Sequence, residues 1–234
     1  MWGYMTKMKL FRSFNTLREE IVHCRLCPRL VDFRENVPPR PAFQDQDYWG
    51  KPVPGYGDIN GSLLITGLAP AAHGGNRTGR IFTGDLSARF LINVLYQAGI
   101  ANQPTSESLD DGLLLNDCYI TASVKCVPPG DKPTRQEFLN CSRYYHNELF
   151  LLKNVTKVLV LGKLAFDAFL FYAKTQGFST KNVRFDFGAR YQIGTLPVLY
   201  CSYHPSPRNT NTGRLTEKML LDLLNEIKSE NNRG

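Results

Sequence analysis

Four short apolar runs set the rhythm of the chain: SLLITGL (62–68), CYITASV (118–124), KVLVLG (157–162) and VLYCSY (198–203). Each is continuous rather than alternating, the pattern of a strand covered on both faces of a parallel sheet. Helical spacing fills the intervals. Residues 85–98 place Leu86, Phe90, Val94 and Leu95 on one face, and Gly99 suits a C-terminal stop. Thr134 and Glu137 stand at capping-box spacing and predict a helix running through Leu149. A further helix follows the third run and ends near Gly177, and Arg214 to Lys228 reads as a final amphipathic helix. Upstream, Thr16 and Glu19 also have capping-box spacing, so Thr16 to His23 is predicted helical with Leu17, Ile21 and Val22 on its apolar face. The stretch 35–60 is rich in Pro, Gly and aromatic residues and reads as a long ordered arm. Residues 182–195 read as a hairpin or a meandering insertion. The strand–helix alternation predicts one α/β domain over 1–234, with a central, mainly parallel four-stranded sheet covered on both faces.

The unusual segments all follow strands. GLAPAAHGGNRTGRIFTGD comes after the first, KCVPPGDKP after the second and HPSPRNTNTGR after the fourth. Carboxyl ends of parallel strands are where open α/β sheets bind ligands, so these three loops predict one site. The first loop has neither the Lys-Ser/Thr ending of a phosphate-binding P-loop nor a G-x-G-x-x-G fingerprint, which removes the usual signatures of nucleoside triphosphate hydrolysis and dinucleotide redox chemistry. The fourth opens with His204 and continues with Ser206, Arg208, Asn209, Thr210, Asn211 and Arg214, donors suited to phosphate.

Charge sharpens this. Of 234 residues, 28 are Lys or Arg and 21 Asp or Glu, a formal net charge of +7. That balance fits a polyanionic partner, nucleic acid first, although it also serves solubility. No apolar stretch is long enough to span a membrane, and the first 14 residues lack the apolar core of an export signal. Six cysteines remain to be placed. Cys24 and Cys27 form C-x2-C, and Cys126 and Cys141 flank a Pro-rich loop. Two pairs from distant segments can close a four-thiolate site for zinc or an iron–sulfur cluster, and spacing does not choose between them. Cys118 and Cys201 sit inside apolar runs and read as small core residues.

The first loop, the Cys-Arg-Leu-Cys pair and the HPSPRNTNTGR loop together resemble the type 5 (B) branch of the uracil-DNA glycosylase superfamily, and the similarity runs from Cys24 to about Leu221. The resemblance implies a three-layer α/β/α fold and a [4Fe–4S] cluster on Cys24, Cys27, Cys126 and Cys141, with zinc as the alternative. That cluster would fasten the N-terminal helix and arm, about 1–60. The implied activity is hydrolytic removal of uracil and other deaminated bases from DNA, without strand cutting. Residue by residue, Gly67, Leu68 and Ala69 would form the wall of the base pocket, Phe82 would stack on the flipped base, and His204 would bond uracil O2. Arg77, Ser206, Arg208, Asn209, Asn211 and Arg214 would grip DNA. Asp85 matches the acidic residue linked to catalysis in this branch, and an Asp before Leu86 equally suits a helix cap. Two departures stand out. Leu68-Ala69-Pro70-Ala71 lacks the water-activating Asp, Asn or Glu of many superfamily enzymes, in agreement with the type 5 branch, and Asp131 stands where type 5 relatives carry an Asn that reads the base. An amide offers uracil a donor and an acceptor, whereas an ionised carboxylate only accepts. The expected setting is a monomer acting on nucleoid DNA in the cytoplasm. The rival readings are a non-catalytic iron–sulfur DNA-binding protein and a zinc-stabilised RNA-binding module.

Overall fold

The computed structural model describes residues 9–229. The first eight residues, part of the stretch read for an export signal, and the last five lie outside them. The four apolar runs form β2 (Leu63–Gly67), β3 (Cys118–Ala122), β4 (Lys157–Leu161) and β6 (Val198–Ser202), all parallel, in the order β3-β2-β4-β6. The sheet has six strands rather than the four expected. Short edges β1 (Tyr56–Gly57) and β5 (Arg190–Tyr191) add antiparallel to β3 and β6. Two residues each carry no periodic signal, so neither edge could be read from hydrophobicity. β5 gives the 182–195 insertion its hairpin-like return onto β6.

Successive strand residues point to opposite faces, and the two faces feed two cores. Leu63, Ile65, Ile120, Leu159, Leu161 and Tyr200 pack under α4 (Leu86–Gln97) and α8 (Glu217–Ser229). Leu64, Tyr119, Val158, Val160, Leu199 and Cys201 pack under α5 (Arg135–Leu151) and α6 (Lys163–Thr175). This is the three-layer α/β/α arrangement, and single-turn helices α3 (Gly75–Thr78) and α7 (Pro207–Thr210) lie in the first and fourth strand-end loops. Cys118 and Cys201 are buried within these cores, as expected. The Thr134–Glu137 capping box is present: Glu137 N–H donates to Thr134 Oγ1 at 3.2 Å and Thr134 N–H to Glu137 Oε2 at 2.7 Å.

The N-terminal region departs from the sequence reading. α1 (Phe14–Val22) is capped by Ser13, whose Oγ accepts from Thr16 N–H at 3.3 Å, so Thr16 lies inside the first turn and not at the cap. A second helix, α2 (Pro28–Glu35), follows the Cys-x2-Cys pair. Its apolar stripe is thin, only Leu30 and Val31, and Pro28 at its first position is the one start signal. Arg29 on α2 bonds both carboxylate oxygens of Glu137 on α5, at 2.8 and 2.7 Å. The Pro-rich arm is stitched onto the strand-end loops through Trp49 N–H to Arg77 O at 2.9 Å and Val53 N–H to Lys125 O at 2.7 Å. A third small core of Leu17, Ile21, Leu30, Val124 and Tyr144 surrounds Cys126 and Cys141. No helix of the described residues is long and apolar enough to cross a membrane.

Candidate active site

The three strand-end loops converge. One open cleft of about 330 Å³ is lined by Leu68 to Ala71 after β2, Asp131 after β3, Gly162 and Lys163 after β4, and His204 and Ser206 after β6. Phe82 does not line the cleft; it is buried in the core behind it and reaches it through His204. Its ring centroid lies 5.9 Å from that of His204 at an interplanar angle of 32°. A Cβ placed on Gly67 would stand 3.1 Å from the Phe82 ring, so glycine there lets the ring lie against the end of β2.

Phe82 has φ +50°, a left-handed conformation that aromatic residues rarely adopt. Its neighbours hold it. Arg80 is buried and donates to Thr83 Oγ1 at 2.9 Å, to Ser106 Oγ at 2.9 Å and to Asp111 Oδ2 at 2.7 Å. Strain of this kind collects where a site over-determines its backbone. His204 is set by two devices. Asn209 Nδ2 donates to its carbonyl at 2.8 Å, and Gly162, at φ +91°, lets its Cβ approach to within 3.2 Å of where a side chain would begin. Burial lowers the His204 pKa to about 4, so the imidazole is neutral at pH 7 and carries one N–H donor.

Asp85 caps α4. Its Oδ1 accepts from Ala88 N–H at 2.8 Å. Its other oxygen faces Gly74 so closely that a side chain there would overlap it. Burial pushes the Asp85 pKa up, against the cap hydrogen bonds and Arg77. Asp131 has φ +57°, is exposed, and ends a 3-10 turn at Pro129–Asp131.

The residues assigned to DNA divide by surroundings. Arg208, Asn211 and Arg214 are exposed, with the Arg214 guanidinium 4.3 Å from the Tyr203 ring. Ser206 lies on the cleft wall. Asn209 holds the His204 backbone. Arg77 is engaged inside its own loop, donating to His73 O at 2.9 Å, Gly84 O at 3.1 Å and Gln46 Oε1 at 2.7 Å, over the Phe43 ring.

Cys24, Cys27, Cys126 and Cys141 line a single chamber with Leu30, Val31, Arg34 and Tyr144. Donors already aim at the sulfurs: Arg34 Nη1 at 3.1 Å from Cys126, Lys125 N–H at 3.1 Å from Cys141, and Asn140 Nδ2 at 3.4 Å from Cys27. Burial pushes the Cys126 thiol up to about 11 and raises those of Cys27 and Cys141, so these three thiols alone would stay protonated. Four thiols on one chamber, N–H groups aimed at sulfur and a buried guanidinium fit an anionic thiolate-ligated centre.

Comparison with known proteins settles the lineage. The Uracil DNA glycosylase superfamily profile matches residues 54–228, three quarters of the chain. This chain belongs to the uracil-DNA glycosylase superfamily. Within it, the chain is 46% identical over 211 residues to a type-5 uracil-DNA glycosylase of Thermus thermophilus, covering 90% of this chain and 94% of the relative. It is 45% identical over 210 residues to the type-5 enzyme of Pyrobaculum aerophilum, covering 90% of each, and 47% identical over 208 residues to that of Mycobacterium bovis, covering 88% of this chain and 77% of the relative. Three features of this superfamily member escaped the sequence reading. Arg34 has no motif around it. Lys163, exposed on the cleft rim, follows the third apolar run with no motif around it. Gly162 ends an apolar run and could have been flagged as a close-approach glycine at a strand-to-helix junction.

Proposed function

We propose that this chain is a monofunctional DNA glycosylase that flips uracil out of DNA and hydrolyses its N-glycosidic bond, leaving an abasic site. The observation that carries the reading is the contact of the Phe82 ring with His204, which lines a cleft built from strand-end loops. A base inside a duplex cannot be reached, so extrusion costs a few kcal/mol, least at a U·G mismatch. Stacking on Phe82 returns about 1–3 kcal/mol. Arg208, Asn211 and Arg214 on the fourth loop meet the splayed phosphates. Bond cleavage leaves a cationic sugar and an anionic base. His204, neutral by burial, donates to the oxygen where that negative charge grows, an effect worth about 3–4 kcal/mol by analogy with oxyanion holes. Backbone amides at the Gly67–Leu68 wall add to it. Asp85, held half-buried as a cap, balances the sugar's positive charge or orients water. Other deaminated bases are substrates to the extent that Asp131 accepts their edges. The reading extends to a monomer acting on nucleoid DNA in the cytoplasm.

The four cysteines would hold a [4Fe–4S] cluster. Zinc is the alternative occupant of four thiolates. When bound, such a cluster supplies a rigid cross-link between α2, the second loop and α5, together with an electron-transfer group. Excision itself needs only protein groups and water.

The test is single-turnover excision on a uracil-containing duplex, read as alkali-labile abasic sites. Wild-type protein should convert the strand. His204→Ala should be slower by at least about tenfold, with DNA binding retained. Binding without abasic sites in the wild type would replace the enzyme reading with a non-catalytic DNA-binding one, which the carboxylate-free Leu68–Ala71 stretch would then explain.

A further inference from the structure

A buried ion pair stands between the base cleft and the cysteine chamber. Lys125 lies in sequence between Val124 and Cys126, and its side chain is sealed from solvent. Its ammonium has three hydrogens and three acceptors: Glu148 Oε2 at 2.6 Å, Thr121 Oγ1 at 2.6 Å and the Ala122 carbonyl at 2.8 Å. Glu148, on α5, also accepts the Thr121 hydroxyl at 2.8 Å and Gly55 N–H at 3.3 Å. The backbone of Lys125 is used on both sides. Its N–H donates to Cys141 Sγ at 3.1 Å, and its carbonyl accepts from Val53 N–H at 2.7 Å. One residue therefore touches the end of β3, α5, the arm and the chamber.

The next bonds reach the substrate side. Ser123 N–H donates to Gly67 O at 3.0 Å, Val124 N–H to Leu68 O at 2.8 Å, and Ser123 Oγ to Leu68 O at 3.1 Å. Leu68 lines the cleft, and Gly67 precedes it as the last residue of β2. Burying an ammonium and a carboxylate is costly, and apolar side chains of similar volume would hold α5 on the sheet as well. What apolar side chains cannot do is fix a carbonyl and a hydroxyl in direction. The pair is thus better suited to setting geometry than to adding stability.

We propose that Lys125 is a positioning residue for excision. It fixes the Thr121–Val124 backbone, and through it the Gly67–Leu68 wall, and it ties that wall to the chamber through Cys141. The positioning half rests on the excision reading; the tie matters only where the chamber holds a metal centre.

Two variants test it. Lys125→Met combined with Glu148→Gln removes both charges together, and Thr121→Val deletes only the shared hydroxyl. Single-turnover excision at saturating protein gives a rate constant and an amplitude, and duplex affinity is measured alongside. The rate constant should fall at least about tenfold in the double variant and about threefold in Thr121→Val, because small displacements of a positioning wall are expensive in rate. Amplitude and affinity should stay within about twofold. An unchanged rate constant in a folded variant overturns the proposal. So does a loss confined to amplitude, which is the mark of a purely structural role. If the double variant does not fold, Thr121→Val decides alone. For the tie, amide exchange at Ser123 and Val124 should speed up when iron is chelated from the wild type; unchanged exchange, or wild-type protein purified without iron, removes the tie and leaves the rate test standing. Wild-type protein that excises nothing removes the excision reading itself, before any variant is made.

Discussion

At the scale of single residues the site is a set of constrained backbones as much as a set of side chains. Asp131 shows why. It sits at φ +57°, and Asp and Asn are the non-glycine residues that tolerate this conformation best. Asp131→Asn should therefore leave the loop unchanged and alter only what the cleft offers a base. An amide restores a donor as well as an acceptor, so the ratio of uracil to hypoxanthine excision should rise several-fold, by about 1 kcal/mol of discrimination. Excision of both bases by wild type and variant measures it, and an unchanged ratio means that residue 131 does not touch the base. His204, Asp131 and Asp85 were all legible as chemistry-bearing residues in unusual loops. The left-handed backbone of Phe82 was not, because nothing in the side-chain pattern of 80–85 reports that Arg80 is buried and paired with a carboxylate thirty residues on. Nor could the sequence separate Ser13 from Thr16 as the cap of α1. Both are hydroxyl residues before an apolar run, and only the chain's entry angle chooses between them.

At the scale of elements, the helices and core strands were readable because periodicity over a dozen residues, or a solid apolar run of five, outweighs local noise. α2 was not, since eight residues, half of them charged, bury only Leu30 and Val31 of their apolar side chains. Yet α2 carries Arg34, which is 2% exposed and bonds Cys126 Sγ and the Cys24 carbonyl, the latter at 3.1 Å. Its Nε is buried with no hydrogen-bond partner among the described residues. A buried donor left unmet costs about 1–3 kcal/mol, and the cluster proposed for the chamber would offer this nitrogen an acceptor. A cation and its hydrogen bonds favour the more negative oxidation state of a cluster. Arg34→Met should therefore lower the reduction potential relative to wild type, read by spectroelectrochemistry on protein that keeps its iron. A potential that rises or does not move would place the guanidinium's charge elsewhere. The same variant should leave α4 and α8 untouched, since they pack on the opposite face of the sheet from α5 and α6.

At the scale of the whole molecule, the parallel sheet collects three loops at one end and the N-terminal helices brace them from the side. Two histidines make that assembly sensitive to acid. His146 on α5 is buried against Phe171 and Tyr172, with Nε2 unpartnered among the described residues, and burial lowers its pKa to about 4. His204 is lowered to about 4 for the same reason. Above the ordinary histidine value of 6.5 both are neutral, folded or unfolded. Between 6.5 and 4 the unfolded chain takes up protons that the folded chain refuses, so stability falls as pH falls through that window. The raised pKa of Asp85 works the other way and offsets part of the loss. Melting temperature should drop steadily across this window, and His146→Leu should flatten the slope; an equal slope in the variant would mean that residue 146 does not contribute. The most direct measurement of the central claim is a co-crystal structure with a duplex containing 2′-fluoro-2′-deoxyuridine, whose fluorine disfavours the cationic sugar and so slows cleavage. The uracil should lie extrahelical between the Leu68–Ala71 wall and the fourth loop, its face on Phe82 and O2 within hydrogen-bond reach of His204. A uracil still stacked in the duplex, or lodged in any other pocket, would contradict it.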